Sequence, residues 1–371
     1  MRLLQSAQAF QRHLPSHPLL RKPSNRSPLS VRRAMEMSLS DQRRSASAWL
    51  ADGTAPRIRV LDSFTTDAGT LSWGPVEALG DVKIWPRTAP EEVEERIRDA
   101  HVILTNKVPM DEATMNLAPS LSYVGKLATG YNDVDLNAAK DRGIAVTNVP
   151  AYSTMSVVQL VFAFMLQHCV DVTSHAESVR RGEWASSADF CYTLRPVPEI
   201  NKKTLVIVGT GSIGSAVKTV AEAFNMRVVS AQVPGRPASA DRVSLDEALP
   251  QADFITLHCP LTAATNMLVS DDFLSRCKQG AVLINTGRGA LLDEAAAVKA
   301  LDSGRLGGVY VDVLAKEPPR DGASAELIKH PKATVTPHIG WMSVEARTQL
   351  ITEVAQNVQA FIKGDKRNRI V

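Results

Sequence analysis

The sequence predicts an α/β chain built as two doubly wound, Rossmann-like domains with parallel sheets and an active site in the cleft between them. Three observations carry that prediction. From residue 57 onward, short apolar runs alternate with polar helical stretches, which is the pattern of βα units. The 371 residues exceed one ordinary core, because a domain usually holds roughly 100–200. A long segment with an apolar face, 153–181, separates two such series.

The first series places strands at 57–61, 82–85, 101–105, 123–128 and 145–149. Between the second and third, Pro90 opens a charged stretch whose acidic first turn favours a helix start through the backbone dipole. Val157, Leu160, Val161, Phe164 and Met165 then recur at helical spacing, so 153–181 reads as one long helix able to bridge two domains. The second series has strands at 204–208, 227–231, 254–258, 281–286, 308–313 and 333–336, apolar enough for a parallel sheet covered on both faces. An amphipathic helix over 343–362 closes the chain.

Composition narrows the function classes. No run approaches the roughly 20 apolar residues of a membrane helix, so no membrane partner is expected. Cys169, Cys191, Cys259 and Cys277 lack the close pairing of a zinc or dithiol site and are expected to be reduced structural thiols, with no metal. Residues 1–33 carry seven Lys/Arg and no acid, and without them the formal charge of +3 becomes −4. Such a Ser-, Pro- and Arg-rich leader matches a mitochondrial or plastid transit peptide. A solvated tail without an address, leaving the chain in the cytosol, is the alternative. A basic tail on a mildly acidic body gives no folded patch for nucleic acid.

The predicted strand 204–208 runs into Gly209-Thr210-Gly211-Ser212-Ile213-Gly214, and a helical stretch follows. In that context Gly209 makes the tight turn, Gly211 lets the backbone approach a pyrophosphate, and Gly214 allows close helix–strand packing. Ser212 and Ile213 open a helix whose free N–H groups and dipole favour an anion. The acidic residue expected after the next strand is replaced by Gln232, with Arg236 four residues on. A carboxylate there would hold the ribose hydroxyls and repel an extra phosphate, and Gln232 does neither strongly. Arg236 is read either as a partner for a 2′-phosphate or as a solvent-exposed loop arginine. NAD(P)H is therefore the expected cofactor, with NADPH use suspected.

Three later segments place a reactive residue just past a predicted strand: Thr286-Gly287-Arg288, Lys316-Glu317-Pro318 and Pro337-His338-Ile339. Ligands of open α/β sheets bind outside such strand ends. A nicotinamide redox step on a carbonyl compound needs a proton donor for the oxygen and, where the compound is an acid, a clamp for its carboxylate. Arg288 offers a planar fork of donors. His338 is a general acid in reduction and base in oxidation, and a carboxylate such as Glu317 would orient an imidazole and favour its protonated form.

The order and spacing of these motifs resemble the D-isomer-specific 2-hydroxyacid dehydrogenase family over essentially all of 57–371. Lys126-Leu127-Ala128-Thr129-Gly130-Tyr131-Asn132-Asp133, Asn148-Val149-Pro150-Ala151-Tyr152 and a Trp three residues after His338 point to its glycerate dehydrogenase (hydroxypyruvate reductase) branch. The resemblance implies Arg288, Glu317 and His338 as catalytic residues, reducing hydroxypyruvate or glyoxylate, in a homodimer. It further implies that backbone N–H groups of Ala128, Thr129 and Gly130 hold the substrate carboxylate. Pro260 would touch the cofactor, beside Thr286, and Asp312 would accept from the nicotinamide carboxamide. Lys107 either adds charge at the cleft or is a surface lysine, and Trp341 either walls the site or packs between domains. Phosphoglycerate dehydrogenases, with a further domain, and formate dehydrogenases, with Gln where Glu317 stands, are disfavoured. A nucleotide-sensing co-repressor or scaffold of the same fold is the rival from another class.

The domain boundaries follow from these placements. Residues 57–153 with 337–371 form the substrate domain and 154–336 the dinucleotide-binding domain, because the chain must return across the interface to deliver His338; 1–56 are leader and linker.

Overall fold

The computed structural model describes Trp49 and residues 53–371; the leader reading concerns residues that lie almost wholly outside these. Two parallel sheets form. The first holds β1 (Arg57–Val60), β2 (Asp81–Ile84), β3 (Val102–Thr105), β4 (Tyr123–Lys126) and β5 (Ala145–Thr147), in the order β2-β1-β3-β4-β5. The second holds β6 (Thr204–Val208), β7 (Arg227–Ala231), β8 (Phe254–Leu257), β9 (Ala281–Asn285), β10 (Leu306–Val311) and β11 (Ala333–Val335), in the order β11-β10-β9-β8-β6-β7. In each, the chain starts in the middle, adds one strand outward and then crosses to the other side. Such a sheet has a switch point where adjacent strand ends part and leave a crevice. Those crevices lie between β1 and β3 and between β6 and β8.

Strands β3, β4, β6, β8 and β9 are buried throughout, as expected of strands covered by helices on both faces. On the first sheet, the helix Val344–Ile362 packs Leu350, Ile351, Val354 and Val358 against Ile58, Val60 and Leu104. Its start is set by Ser343, whose hydroxyl accepts from the Ala346 N–H at 3.1 Å, an N-cap that satisfies one orphan donor. On the second sheet, Val157, Val161, Phe164 and Met165 of the helix Thr154–Val170 pack with Leu205, Ile207 and Ile284.

The segment 153–181 is not one helix. It breaks at Asp171, whose φ of +50° ends Thr154–Val170 and whose carboxylate caps Val172–Arg180 by accepting from the Ser174 N–H. The two pieces meet at a bend of 53°. A left-handed residue with a short polar side chain serves as stop for one helix and start for the next, and apolar periodicity carries no trace of it. Among the described residues no single helix is long and apolar enough to cross a membrane.

The stretch before residue 57 also contributes to the core. Trp49 is buried, stacks on His101 with ring centroids 4.9 Å apart and donates from Nε1 to Ser122 Oγ at 3.1 Å. Cys169, Cys259 and Cys277 are buried free thiols, whereas Cys191 is exposed. Burial pushes the Cys259 thiol up to about 11 and the Cys277 thiol up to about 12, which leaves both protonated and unreactive at neutral pH.

Candidate active site at the facing strand ends

The glycine loop after β6 shows three different uses of a missing side chain. Gly209 has a φ of +103°, and a Cβ there would lie 2.7 Å from the backbone of His258 and Cys259. Only glycine meets both demands. A Cβ at Gly214 would lie 2.0 Å from the Gly209 carbonyl oxygen, so this glycine lets the helix Ser212–Ala223 sit close on β6. At Gly211 a Cβ would meet nothing within 4 Å. That open backbone at a 12-residue helix N-terminus suits a pyrophosphate. Ser212 is exposed there and Ile213 is tucked against the core.

Farther along the same edge, Thr286 Oγ1 is buried without a hydrogen-bond partner, and Pro260 is exposed at the mouth of the β8 loop. Buried hydroxyls are nearly always satisfied, so the orphan at Thr286 fits a polar group arriving from a ligand. The Gln232 side chain turns back on its own loop. Its amide nitrogen donates to the carbonyls of Arg236 and Pro237, both at 2.9 Å, leaving Oε1 buried and unpartnered. The side chain thus folds its own loop, and Arg236 is exposed.

The three reactive residues stand on neighbouring loops. His338 Nδ1 lies 2.7 Å from Glu317 Oε2, and Glu317 Oε1 accepts from the Leu314 N–H at 3.0 Å. Burial raises the Glu317 carboxyl, but the bonds from His338 and Leu314 and the charges of His338 and Lys107 outweigh it and hold the carboxyl below its usual range. It is an anion at neutral pH. Gly289 packs so tightly that a Cβ would fall 1.9 Å from the Leu314 carbonyl carbon, which brings the Arg288 loop into backbone contact with the Glu317 loop. Arg288 in turn reaches across the cleft: a Cβ at Gly130 would lie 2.7 Å from its Nη2. Lys107 is exposed on the same side, within electrostatic reach of Glu317.

Loops of the first sheet face this group. Thr129 is fixed by its hydroxyl to the Val149 carbonyl at 2.8 Å and by its own carbonyl, which accepts from Asn148 Nδ2 at 2.7 Å. The Ala128 carbonyl accepts from the Val149 N–H. Trp341 lies in the periphery of the first core, edge-on to Tyr152 at 6.4 Å, so its packing is with the first sheet.

Asp312, expected to face the cofactor, is 2% exposed and occupied from within the protein. It accepts from the N–H groups of Ile339 (2.8 Å) and Gly340 (2.7 Å) and from Thr336 Oγ1. Burial raises its carboxyl against these three donors. The three donors bracket His338, whose φ of +57° is unfavourable for a side chain of this kind by roughly 1–2 kcal/mol. The residue carries this strain because the turn is anchored on both sides.

Sequence reasoning passed over several residues that shape the site. Asp62, just past β1, accepts from the N–H groups of Asn106 (2.7 Å), Lys107 and Val108 (3.2 Å). Buried Glu294 accepts from the Ala315 N–H at 2.8 Å and from Ser324 Oγ, holding the loop that carries Glu317. Asp62 had a visible signal, since a carboxylate past a strand end stands where the other site residues stand. Glu294 had none, as its partners are 21 and 30 residues away. Among the described residues no group of His, Cys, Asp and Glu is placed to hold a metal ion.

Residues 162–340 match the family model described as D-isomer specific 2-hydroxyacid dehydrogenase, NAD binding domain. The chain is 40% identical over 316 residues to a glycerate dehydrogenase of Methylorubrum extorquens, covering 84% of this chain and 98% of that one. It is 37% identical over 319 residues to a hydroxypyruvate reductase of Blautia hydrogenotrophica, with the same coverage of each. A crystal structure of a protein from Thermus thermophilus superposes with a TM-score of 0.74 at 32% identity, covering 85% of this chain and 100% of the other.

Replacing Asp312 with Ala should orphan the buried Gly340 N–H at about 1–3 kcal/mol and leave the part-buried Ile339 N–H to water. Chemical denaturation should show at least about 1 kcal/mol of lost stability, and a loss within error of zero would remove Asp312 as the anchor of the His338 turn.

Proposed function

The chain belongs to the D-isomer-specific 2-hydroxyacid dehydrogenase family, and from that premise we propose that its preferred reaction is reduction of hydroxypyruvate to D-glycerate, with glyoxylate to glycolate as the second. It is an oxidoreductase that uses a nicotinamide cofactor to turn small 2-oxo acids into D-2-hydroxy acids. The observation that carries the detailed reading is the 2.7 Å contact of His338 with Glu317, beside an arginine that meets Gly130 across the cleft.

A bound nicotinamide supplies the hydride that C2 receives; the glycine loop 209–214 and the unpartnered Thr286 hydroxyl would hold the dinucleotide. The remaining demands fall on side chains of this chain. Arg288, with Ala128, Thr129 and Gly130 opposite, holds the substrate carboxylate and polarises the ketone. With Nδ1 committed to Glu317, His338 has Nε2 left to give the ketone oxygen its proton. The Glu317 carboxylate, in contact with Nδ1, holds the ring in place for that transfer. Closure of the two sheet units would expel water from the hydride path.

Finer readings rest on particular residues. Acceptance of NADPH is supported by the absence of a carboxylate at Gln232 and by the exposed Arg236. Val172, Trp184 and Phe190 are 66%, 51% and 88% exposed along one stretch of chain, and apolar side chains so exposed support a homodimer joined there. Light scattering at the protomer mass would count against it. The acid-free leader supports import into a mitochondrion or plastid; a reporter fused to residues 1–56 and left diffuse in the cytosol would argue for a plain tail.

Initial rates for hydroxypyruvate, glyoxylate and pyruvate, each with NADH and NADPH, test the main reading. Hydroxypyruvate should give the highest kcat/KM, and Arg236→Ala should weaken NADPH more than NADH. Tight nucleotide binding with no turnover of any acid would leave a binding protein instead. His338→Ala should abolish turnover while nucleotide binding survives. Glu317→Gln removes the carboxylate that accepts from His338 Nδ1 and orients the ring, so kcat should fall about tenfold or more while nucleotide binding survives; an unchanged kcat would exclude this role for Glu317.

A further inference from the structure

At the switch point of the first sheet, the crevice between β1 and β3 is already filled. The Asp62 carboxylate takes the N–H groups of residues 106–108 there, so those donors are spent inside the protein. A substrate anion must be held one strand over, by the loop that follows β4. That loop departs from Lys126, the last residue of β4.

Lys126 has an unusual place for an ammonium. Its side chain is 0% exposed, yet Nζ donates to the Asn106 carbonyl at 2.6 Å and to Asp133 Oδ2 at 2.6 Å. The first acceptor lies on the loop after β3, the second at the far end of the loop after β4. The same two loops are joined again where the Met110 N–H donates to the Asp133 carbonyl and the Asp135 N–H to the Met110 carbonyl. Burial lowers the Lys126 ammonium, while Asp133 and Asp62 work against that shift. A buried charge seldom repays its desolvation in stability. A methionine of similar length would fill the space at lower cost but could not bridge a carbonyl and a carboxylate.

We propose that Lys126 is the positioning residue for the carboxylate end of the 2-oxo acid, because its buried ammonium ties the 106–108 loop to Asp133 and thereby fixes residues 128–130 opposite Arg288. This rests on the functional reading given above. Lys126 bonds to the loops after β3 and β4, and it and Asp133 act through the placement of the backbone N–H groups between them. A shift of about 1 Å at a binding group can cost up to about a hundredfold, so the loss should be large and confined to one substrate.

The test compares Lys126→Met and Asp133→Asn with the unaltered chain, measuring kcat and KM for the 2-oxo acid that the unaltered chain reduces best and the Kd of the reduced nicotinamide by fluorescence. Both variants should raise KM for the oxo acid about tenfold or more, with a smaller change in kcat and a nucleotide Kd within about twofold. An unchanged KM in a folded Lys126→Met protein, or equal losses for acid and nucleotide, would overturn the proposal. If Lys126→Met does not fold, the nearly isosteric Asp133→Asn decides alone, and an unchanged KM there overturns it. Failure of the unaltered chain to reduce any 2-oxo acid is a different result: it removes the functional reading first and this inference with it.

Discussion

The Asp312 carboxylate sits out of water at the end of β10 and accepts from three donors contributed by residues 336–340. The remaining architecture depends on that grip. Holding the chain by its N–H groups forces His338 into the left-handed region and aims its ring at Glu317, while Gly340 passes so near that a Cβ would lie 2.9 Å from Asp312 Oδ2. The chain then leaves the second sheet for the helix Val344–Ile362, which covers the first. One buried anion thus fixes both the orientation of an imidazole and the point where the chain crosses between sheets.

Close backbone approach is the second constraint. Gly209 and Gly214 let a strand, a turn and a helix converge at distances no side chain would permit, and Gly289 does the same for the Arg288 and Glu317 loops. The consequence is chemical as well as steric. Groups from distant parts of the chain meet in fixed geometry before any ligand arrives, which reduces the reorganisation needed when charge develops on a reacting oxygen.

The two sheets divide the labour through the same topological device. Each has a switch point, but only the one in the second sheet is left open, lined by the bare backbone of Gly211. In the first sheet Asp62 closes the crevice from inside, and Lys126 and Asp133 brace the neighbouring loop. Local charge pairing thus turns one of two similar folds into a receptor for a nucleotide and the other into a rigid wall facing it.

The sequence by itself determined the βα rhythm, with strands within two residues of those formed, and the glycine loop in its proper setting. These were legible because strand length, apolar runs and glycine spacing are local properties. It also placed Arg288, Glu317 and His338 just past strand ends, where ligands of such sheets gather. Only the tertiary structure decided what lies between them. The burial of Trp49 and the inward engagement of Asp312 depend on partners brought near by packing, and the break at Asp171 and the fold-back of Gln232 are local bonds that apolar periodicity does not encode. Packing likewise decided the role of Lys126, which in the sequence is one more charged residue at the end of a strand. Hydrogen bonds and desolvation act through space, and a chain read in order carries no measure of that distance.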